Sequence, residues 1–252
     1  MTTPIVSEHQ LITDLQHLGV RPAGVLMVHS SLSSIGQTEG AAAVIRALLG
    51  ALGEDGTLVM PAFRESVSQP GLGQEVTEDI RNEALRVSPP FDIDHTPTTS
   101  GLIPETFRTW PGVTRSTHPT TSVIAIGPQA EQIVTPHPLA WAMGPGSPFG
   151  RMYELDAQQL MIGVGFNRLT MLHYAETELP DGRRKTRFVP VDNDVLAFPD
   201  TGDDLNTHFP VIGDLAIARG IPASGKIGNA PSLLIGSRDV VHFASDYLAG
   251  AL

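Results

Sequence analysis

A strand, a helix and a second strand follow one another within about 40 residues near the start of the chain. Residues 24–28 (GVLMV) form a short continuous apolar run, typical of a strand buried on both faces. An alanine-rich helical segment follows at about 40–52, and residues 56–63 (GTLVMPAF) form a second apolar run. A unit of this kind joins parallel strands. We therefore predict an α/β fold with a central, mostly parallel sheet flanked by helices.

Further elements follow along the chain without a clear break between domains. Residues 7–18 carry the apolar stripe of an amphipathic helix, and Gly19 is typical of a helix C-terminus. Because no clear break separates these elements, we expect a single domain over residues 1–252. Apolar patterns predict additional helices and strands at residues 103–110, 122–126, 129–134 and 160–164.

Two parts of the chain have weaker patterns. Residues 64–99 are polar and proline-rich, so we predict an irregular insertion or lid there. The C-terminal part is less regular, with helices near 203–219 and 237–248 around a turn-rich segment. Within it, residues 220–227 (GIPASGKI) match G-x-x-x-x-G-K. However, Ile227 replaces the Ser or Thr that a P-loop needs, so a nucleotide P-loop is not expected.

Charge and composition exclude several classes of protein. The chain has 16 Lys and Arg against 27 Asp and Glu, a formal charge of -11, which disfavours nucleic acid and anionic membrane surfaces as partners. No apolar run approaches the roughly 18 residues of a membrane span, and residues 1–10 lack signal-peptide character, so we expect a cytoplasmic protein. Cysteine is absent, which excludes a thiolate nucleophile. The nine histidines show no ligand-like spacing, so no metal is predicted.

Residues 160–176 (LMIGVGFNRLTMLHYAE) place a His and a Glu three residues apart after an apolar, strand-like run. Thr170 is positioned to cap a helix that begins at Met171. In such a helix His173 and Glu176 share one face, where the carboxylate can hold one imidazole nitrogen and raise the basicity of the other. A general base has this arrangement, although the same spacing is more often that of a structural pair.

Three polar segments flank the predicted strands and helices. Residues 29–36 (HSSLSSIG) follow the first strand, at the sheet edge where parallel α/β folds bind ligands. Their hydroxyl and backbone N–H groups suit the phosphate or amide oxygens of an extended cofactor, and an ordinary serine-rich loop is the alternative. Residues 118–122 (HPTTS) add a His and two Thr, or form a simple turn. Residues 147–150 (SPFG) have the Ser and Pro of a helix start, a structural role.

Five segments occur in one order and at compatible spacings over about residues 22–178: HSSLSSIG, GTLVMPAF, GLIPETFRTWPGVTRSTHPTTSVIAIG, SPFGRMYEL and LMIGVGFNRLTMLHYAE. Together they resemble the motif series of the aminoglycoside 3-N-acetyltransferase family. The resemblance implies an acetyl-CoA-dependent enzyme without a metal. Such an enzyme acetylates the 3-amino group on the 2-deoxystreptamine ring of an aminoglycoside.

The resemblance also implies roles for particular residues. His173 matches the general base of the family, Glu176 matches the carboxylate that orients it, and His29 lies at a further matched catalytic position. Other positions match the loop that holds coenzyme A and the cleft beside it: Ser30, Ser31, Leu32, Ser33, Ser34, Thr121 and Ser122.

The acceptor and the transfer route are less constrained by the sequence. A polycationic sugar requires acidic side chains, and Asp92, Asp94 and Glu178 lie near the matched motifs. Without Cys and without an evident activated Ser, direct attack of the amine in a ternary complex is favoured. The short, weakly patterned segment 64–99 leaves the substrate range open, so a CoA-dependent N-acetyltransferase of the same fold acting on a non-aminoglycoside amine is one alternative. A non-catalytic CoA-binding relative is another, and the intact His173 and Glu176 argue against it. We expect a monomer or a homodimer.

Overall fold

The computed structural model describes residues 5–179, 183–192 and 194–251. The strands are β1 (Val25–Ser30), β2 (Thr57–Pro61), β3 (Val67–Pro70), β4 (Thr114–Arg115), β5 (Val123–Ile126), β6 (Gln158–Ile162), β7 (Arg184–Val191), β8 (Asp194–Thr201), β9 (Ala223–Ile227) and β10 (Ala230–Gly236). The helices are α1 (Glu8–Leu18), α2 (Leu32–Ile35), α3 (Ala41–Leu52), α4 (Glu78–Val87), α5 (Leu102–Arg108), α6 (Ala130–Val134), α7 (Pro148–Glu154), α8 (Met171–Glu178), α9 (Phe209–Ala218) and α10 (Ser237–Ala251), with a short 3-10 helix at Phe166–Arg168.

A seven-stranded sheet forms the centre, in the order β4-β5-β2-β1-β6-β10-β9. At its middle β1 runs parallel to both β2 and β6, with Leu26 opposite Leu58 on one side and Gln158 on the other. The pairs farther out, β2 with β5 and β6 with β10, are antiparallel. The predicted α/β fold with a parallel centre is therefore confirmed, and the edges of the sheet run antiparallel.

The continuous apolar run of β1 serves two hydrophobic cores. Val25 and Met27 belong to one core and Leu26 and Val28 to the other, because successive side chains of a strand point to opposite faces. Helices α1, α3 and α5 cover one face of the sheet, and α7 to α10 supply much of the core on the other face. The prediction of a strand buried on both faces is confirmed.

Local signals located several helix ends correctly. The Ser7 side chain accepts a hydrogen bond from Gln10 N, and Gly19 ends α1 at a φ of 100°. Ser147 caps α7 with Pro148 in its first turn. The predicted cap at Thr170 is wrong, although α8 does begin at Met171. Thr170 already has helical backbone angles, whereas a side-chain cap normally requires an extended residue.

The segment at residues 64–99 is more regular than the sequence indicates. It contains β3, which pairs with β7 in a second sheet of order β3-β7-β8, and α4. Ile80 and Ala84 of α4 form a small core with Phe188 and Val195 of that sheet. The pairing of β3 depends on a strand more than 100 residues later in the chain, which no local pattern signals. Helix α4 does have a local start signal that was missed, since the Thr77 side chain accepts a hydrogen bond from Ile80 N.

The turn-rich segment before α10 is the hairpin of β9 and β10, which joins the central sheet through β6. Residues 223–227 of the apparent P-loop form β9 at the sheet edge. No helix in the described part of the chain has both the length and the apolarity needed to cross a membrane.

Candidate active site

A cavity of about 700 Å³ lies at the carboxyl end of β1 and is lined by residues of both sheets. One wall comes from His29 and Ser30 at the end of β1, and another from Lys185 and Arg187 of β7. His173 of α8 also lines the cavity. The carboxyl ends of parallel strands are the usual ligand-binding edge of an α/β sheet.

The structure brings His173 and Glu176 together. His173 Nδ1 lies 2.6 Å from Glu176 Oε2, as the three-residue spacing on α8 predicts. Met171, Leu172 and Ala175 are fully buried and anchor the helix in the core. The Glu176 side chain is 4% exposed and that of His173 is 14% exposed, so the carboxylate lies behind the imidazole and only the imidazole lines the cavity.

The His173 ring is held by two further neighbours. Phe209 packs against it with ring centroids 4.8 Å apart. On another side lies the backbone of Gly202, where a Cβ atom would be 2.7 Å from His173 Nδ1 and 2.8 Å from Glu176 Oε2. Sequence reasoning missed Gly202, and its only local signal is its place in a turn-like TGDD stretch that begins at the last residue of β8.

The serine-rich loop lies mostly on the cavity wall. Ser30, Ser31, Leu32 and Ser33 line the cavity, and the hydroxyls of Ser31 and Ser33 are 3.2 Å apart. Ser34 does not line it; its hydroxyl hydrogen-bonds to Ser31 Oγ at 3.1 Å. The Ser30 hydroxyl is buried without a hydrogen-bond partner among the described residues. An unpaired buried hydroxyl is costly, which fits a wall that a ligand completes.

His29 also lines the cavity, but its environment differs from that of His173. It is 5% exposed, and its Nε2 atom is buried without a partner in the described part of the chain. Burial lowers the pKa of His29 to about 4, because the charged imidazolium is poorly solvated there. The ring is therefore neutral at physiological pH.

The HPTTS turn contributes two threonines to the cavity wall, Thr120 and Thr121. His118 holds this turn, since its Nδ1 accepts the backbone N–H groups of Thr120 and Thr121 at 3.2 and 3.1 Å. Ser122 is buried outside the lining and donates its hydroxyl to Ala62 O at 2.8 Å. Of the two residues predicted here for coenzyme A, Thr121 lines the cavity and Ser122 does not.

The predicted acidic residues lie elsewhere. Asp92, Asp94 and Glu178 are exposed and do not line the cavity. Asp92 instead accepts the backbone N–H groups of Asp94 and His95 at 2.9 Å in a surface turn. Their role in binding an acceptor stays a prediction.

A network of charged side chains on the second sheet was not predicted. Lys185 Nζ lies 2.6 Å from Asp204 Oδ1, and Arg187 bonds to Asp200 at 2.7 Å and to Asp204 at 3.3 Å. Burial raises the pKa of Asp204, but the charges of Arg187 and Lys185 outweigh it and hold that pKa below its ordinary range. Among the described residues that line the cavity, Asp204 is the one carboxylate.

Other features complete the description of the wall. Arg168 is exposed on it and has no side-chain hydrogen bond or ion pair to another described residue. Over residues 5–179, 183–192 and 194–251, no cluster of three or more His, Cys, Asp or Glu is arranged to hold a metal ion.

Comparisons with known proteins assign the chain to a family. A family model described as aminoglycoside 3-N-acetyltransferase matches residues 27–249. Aminoglycoside N(3)-acetyltransferase IV from a Salmonella species is 37% identical over 239 residues, which are 92% of this chain and 83% of that protein. The chain therefore belongs to the aminoglycoside 3-N-acetyltransferase family, and the relatives that bear this name are acyltransferases.

Two solved structures are similar over nearly the whole chain. A structure named as AAC-IIIb in a binary complex with CoASH has a TM-score of 0.85 and 29% identity, covering 99% of this chain and 98% of that one. A structure named as AAC-VIa bound to sisomicin has a TM-score of 0.84 and 31% identity, covering 97% and 98%. The fold of this chain is thus shared with one protein that binds coenzyme A and one that binds an aminoglycoside.

Proposed function

We propose that the protein is an acetyl-CoA-dependent N-acetyltransferase that acts directly on the 3-amino group of the 2-deoxystreptamine ring of an aminoglycoside. The observation that carries this proposal is the His173–Glu176 pair on the wall of the cavity, with His173 as general base. The complexes of the structural relatives with CoASH and with sisomicin support both substrates. We place the enzyme in the cytoplasm, as a monomer or a homodimer.

His173 supplies the base that the chemistry requires. An aminoglycoside amine is mostly protonated at neutral pH and must lose a proton to become a nucleophile. The Nδ1–H group donates to Glu176 Oε2, which leaves the lone pair of Nε2 to accept that proton. Glu176 is shielded from solvent and stabilises the imidazolium that forms.

Hydroxyl groups and the Arg168 side chain at the cavity fit coenzyme A. Ser31 and Ser33 present hydroxyls, Ser30 has an unpaired one, and Arg168 carries a free cationic side chain among the described residues. Such groups match the amide oxygens and phosphates of the cofactor. When bound, acetyl-CoA supplies the acetyl group as a thioester.

The lack of a prepared nucleophile among the described residues supports direct transfer. The chain has no Cys, and within the described residues no serine hydroxyl hydrogen-bonds to His173 or Glu176. A serine nucleophile needs such a base within hydrogen-bond reach. The acceptor nitrogen, after giving one proton to His173 Nε2, therefore forms its bond to the acetyl carbon as the bond from that carbon to sulfur breaks. Its second proton goes to the departing thiolate, which leaves as the CoA thiol.

A second candidate function keeps the same chemistry but changes the acceptor to a less cationic amine. The cavity favours it in one respect, because its described carboxylate, Asp204, is already paired with Lys185 and Arg187. A polycationic sugar gains little from a carboxylate whose charge is neutralised in this way.

The test is release of CoA from acetyl-CoA, followed with a thiol reagent, over a panel of aminoglycosides and simpler amines. Because the protein has no Cys, the reagent reports only the CoA thiol. His173→Ala should lower kcat/KM by roughly 10²- to 10⁴-fold, the usual contribution of a general base. His242→Ala is the matched control, since His242 bonds to Tyr153 on the surface and does not line the cavity.

The outcomes separate the alternatives. Full activity in His173→Ala would refute the assignment of the base. Turnover of simple amines without turnover of aminoglycosides would favour the second candidate. Binding of CoA with no turnover of any acceptor would indicate a non-catalytic relative. NMR of the product decides whether the 3-amino nitrogen is acetylated.

A further inference from the structure

We propose that Gly202 is a positioning residue for the His173–Glu176 pair, and that the absence of a side chain at this position allows their hydrogen bond to form. This inference rests on the proposed role of His173 as the base. It concerns a residue that follows β8, far along the chain from α8.

The geometry places the Gly202 backbone against both ends of one hydrogen bond. A Cβ at Gly202 would lie 2.7 Å from His173 Nδ1 and 2.8 Å from Glu176 Oε2, well inside the 3.4 Å at which ordinary contact begins. These two atoms are the ones joined at 2.6 Å. A methyl group at Gly202 would therefore wedge against the pair itself.

The surroundings leave little room for relief. The His173 ring packs against Phe209, and the Glu176 side chain of α8 is buried. Gly202 itself is tied down, because its N–H donates to Arg183 O at 3.1 Å. The next residue, Asp203, accepts backbone N–H groups farther along the loop at 3.0 and 2.9 Å. A side chain at Gly202 must therefore separate the imidazole from the carboxylate or shift a well-anchored turn.

Gly202 also has a φ of +105°, so any substitution there adds backbone strain. Gly53 provides the matched control for that strain. It has a φ of +72°, no atom lies within 4 Å of the position that a Cβ would occupy there, and it does not line the cavity. Gly53→Ala thus reports the effect of a left-handed alanine without any contact to the pair.

The first experiment compares Gly202→Ala with Gly53→Ala in the CoA-release assay and in thermal unfolding. A displacement approaching 1 Å at a reacting group costs about 100-fold, so Gly202→Ala should lower kcat by about 10- to 100-fold. The KM for acetyl-CoA should stay within about twofold, since the serine-rich loop is untouched. Gly53→Ala should keep the wild-type kcat. Wild-type kcat in a folded Gly202→Ala protein would overturn the inference.

A double-mutant cycle with Glu176→Ala separates positioning from general damage. If the methyl group acts through the hydrogen bond, Gly202→Ala adds less than about a twofold loss once Glu176→Ala has removed that bond. Losses that multiply fully would overturn the inference. If Gly202→Ala alone does not fold, folding of the double variant supports the steric argument and continued misfolding refutes it.

The failure of this inference can be told apart from the failure of the proposed function. Full activity in His173→Ala would overturn both. An inactive His173→Ala protein together with a fully active Gly202→Ala protein would overturn only the positioning role.

Discussion

Three buried histidines should make the protein unstable in mild acid. Burial lowers the pKa of His29 and of His118 from 6.5 to about 4, and burial together with the neighbouring His118 lowers that of His137 to about 3. All three side chains are neutral in the folded protein at physiological pH. In the unfolded chain each takes up a proton near pH 6.5.

Hydrogen bonding explains why protonation of two of these rings opposes folding. His118 Nδ1 accepts the N–H groups of Thr120 and Thr121, so a proton on that nitrogen would face two donors. His137 Nε2 donates to Ala142 O at 2.9 Å, and its Nδ1 accepts the Ser116 hydroxyl at 2.8 Å. A second proton on either ring therefore breaks existing hydrogen bonds in addition to burying a charge.

The sign and size of the pH dependence of stability follow from the difference in proton binding between the folded and unfolded states. Below pH 6.5 the unfolded state binds more protons than the folded state, so stability falls as the pH drops, until the folded rings titrate at about pH 4 for His29 and His118 and about pH 3 for His137. At pH 5 each histidine costs about 2 kcal/mol, since one pKa unit corresponds to about 1.4 kcal/mol. Three such groups remove about 6 kcal/mol, comparable to the whole stability of many domains.

Urea unfolding at several values between about pH 7.5 and 5.5 measures this dependence. The slope of the unfolding free energy against pH gives the number of protons taken up on unfolding. That number should approach about three near the acid end of the range. His137→Gln should lower the slope by about one proton, whereas His242→Gln, at an exposed ring, should leave it unchanged. A slope that corresponds to the uptake of less than one proton throughout this range would refute the reasoning.

Two further predictions concern single polar side chains. Ser147→Ala should lower the unfolding free energy by about 1 kcal/mol, because Ser147 caps α7 by accepting Phe149 N at 3.1 Å; an unchanged urea midpoint would contradict it. Asp203→Asn should cost about 2 kcal/mol at pH 7. Against the effect of burial, backbone N–H donors and Arg183 lower the Asp203 pKa from 3.8 to about 2, so its carboxylate stabilises the fold throughout the neutral range. Equal stability of Asp203→Asn and wild type in urea would show that these contacts contribute nothing.

Much of the central sheet was predictable because its signals are local. The apolar run at residues 24–28 marked a strand buried on both faces, and the apolar stripe at residues 7–18 with Gly19 marked α1 and its C-terminal end. The second sheet was not predictable in this way. Its strand β3 is held by β7, and such pairing depends on residues distant in sequence rather than on a nearby pattern.

In the candidate site, too, the features set by local spacing were predictable and those set by tertiary packing were not. A spacing of three residues on one helix was sufficient to make His173 and Glu176 neighbours, because helical geometry determines which side chains meet. Only the tertiary structure decided that the Gly202 backbone packs against this pair, that Asp204 rather than Asp92 reaches the cavity, and that the Ser122 side chain does not line it. Those placements depend on how separate segments pack in three dimensions, which the spacing of residues along one segment does not specify.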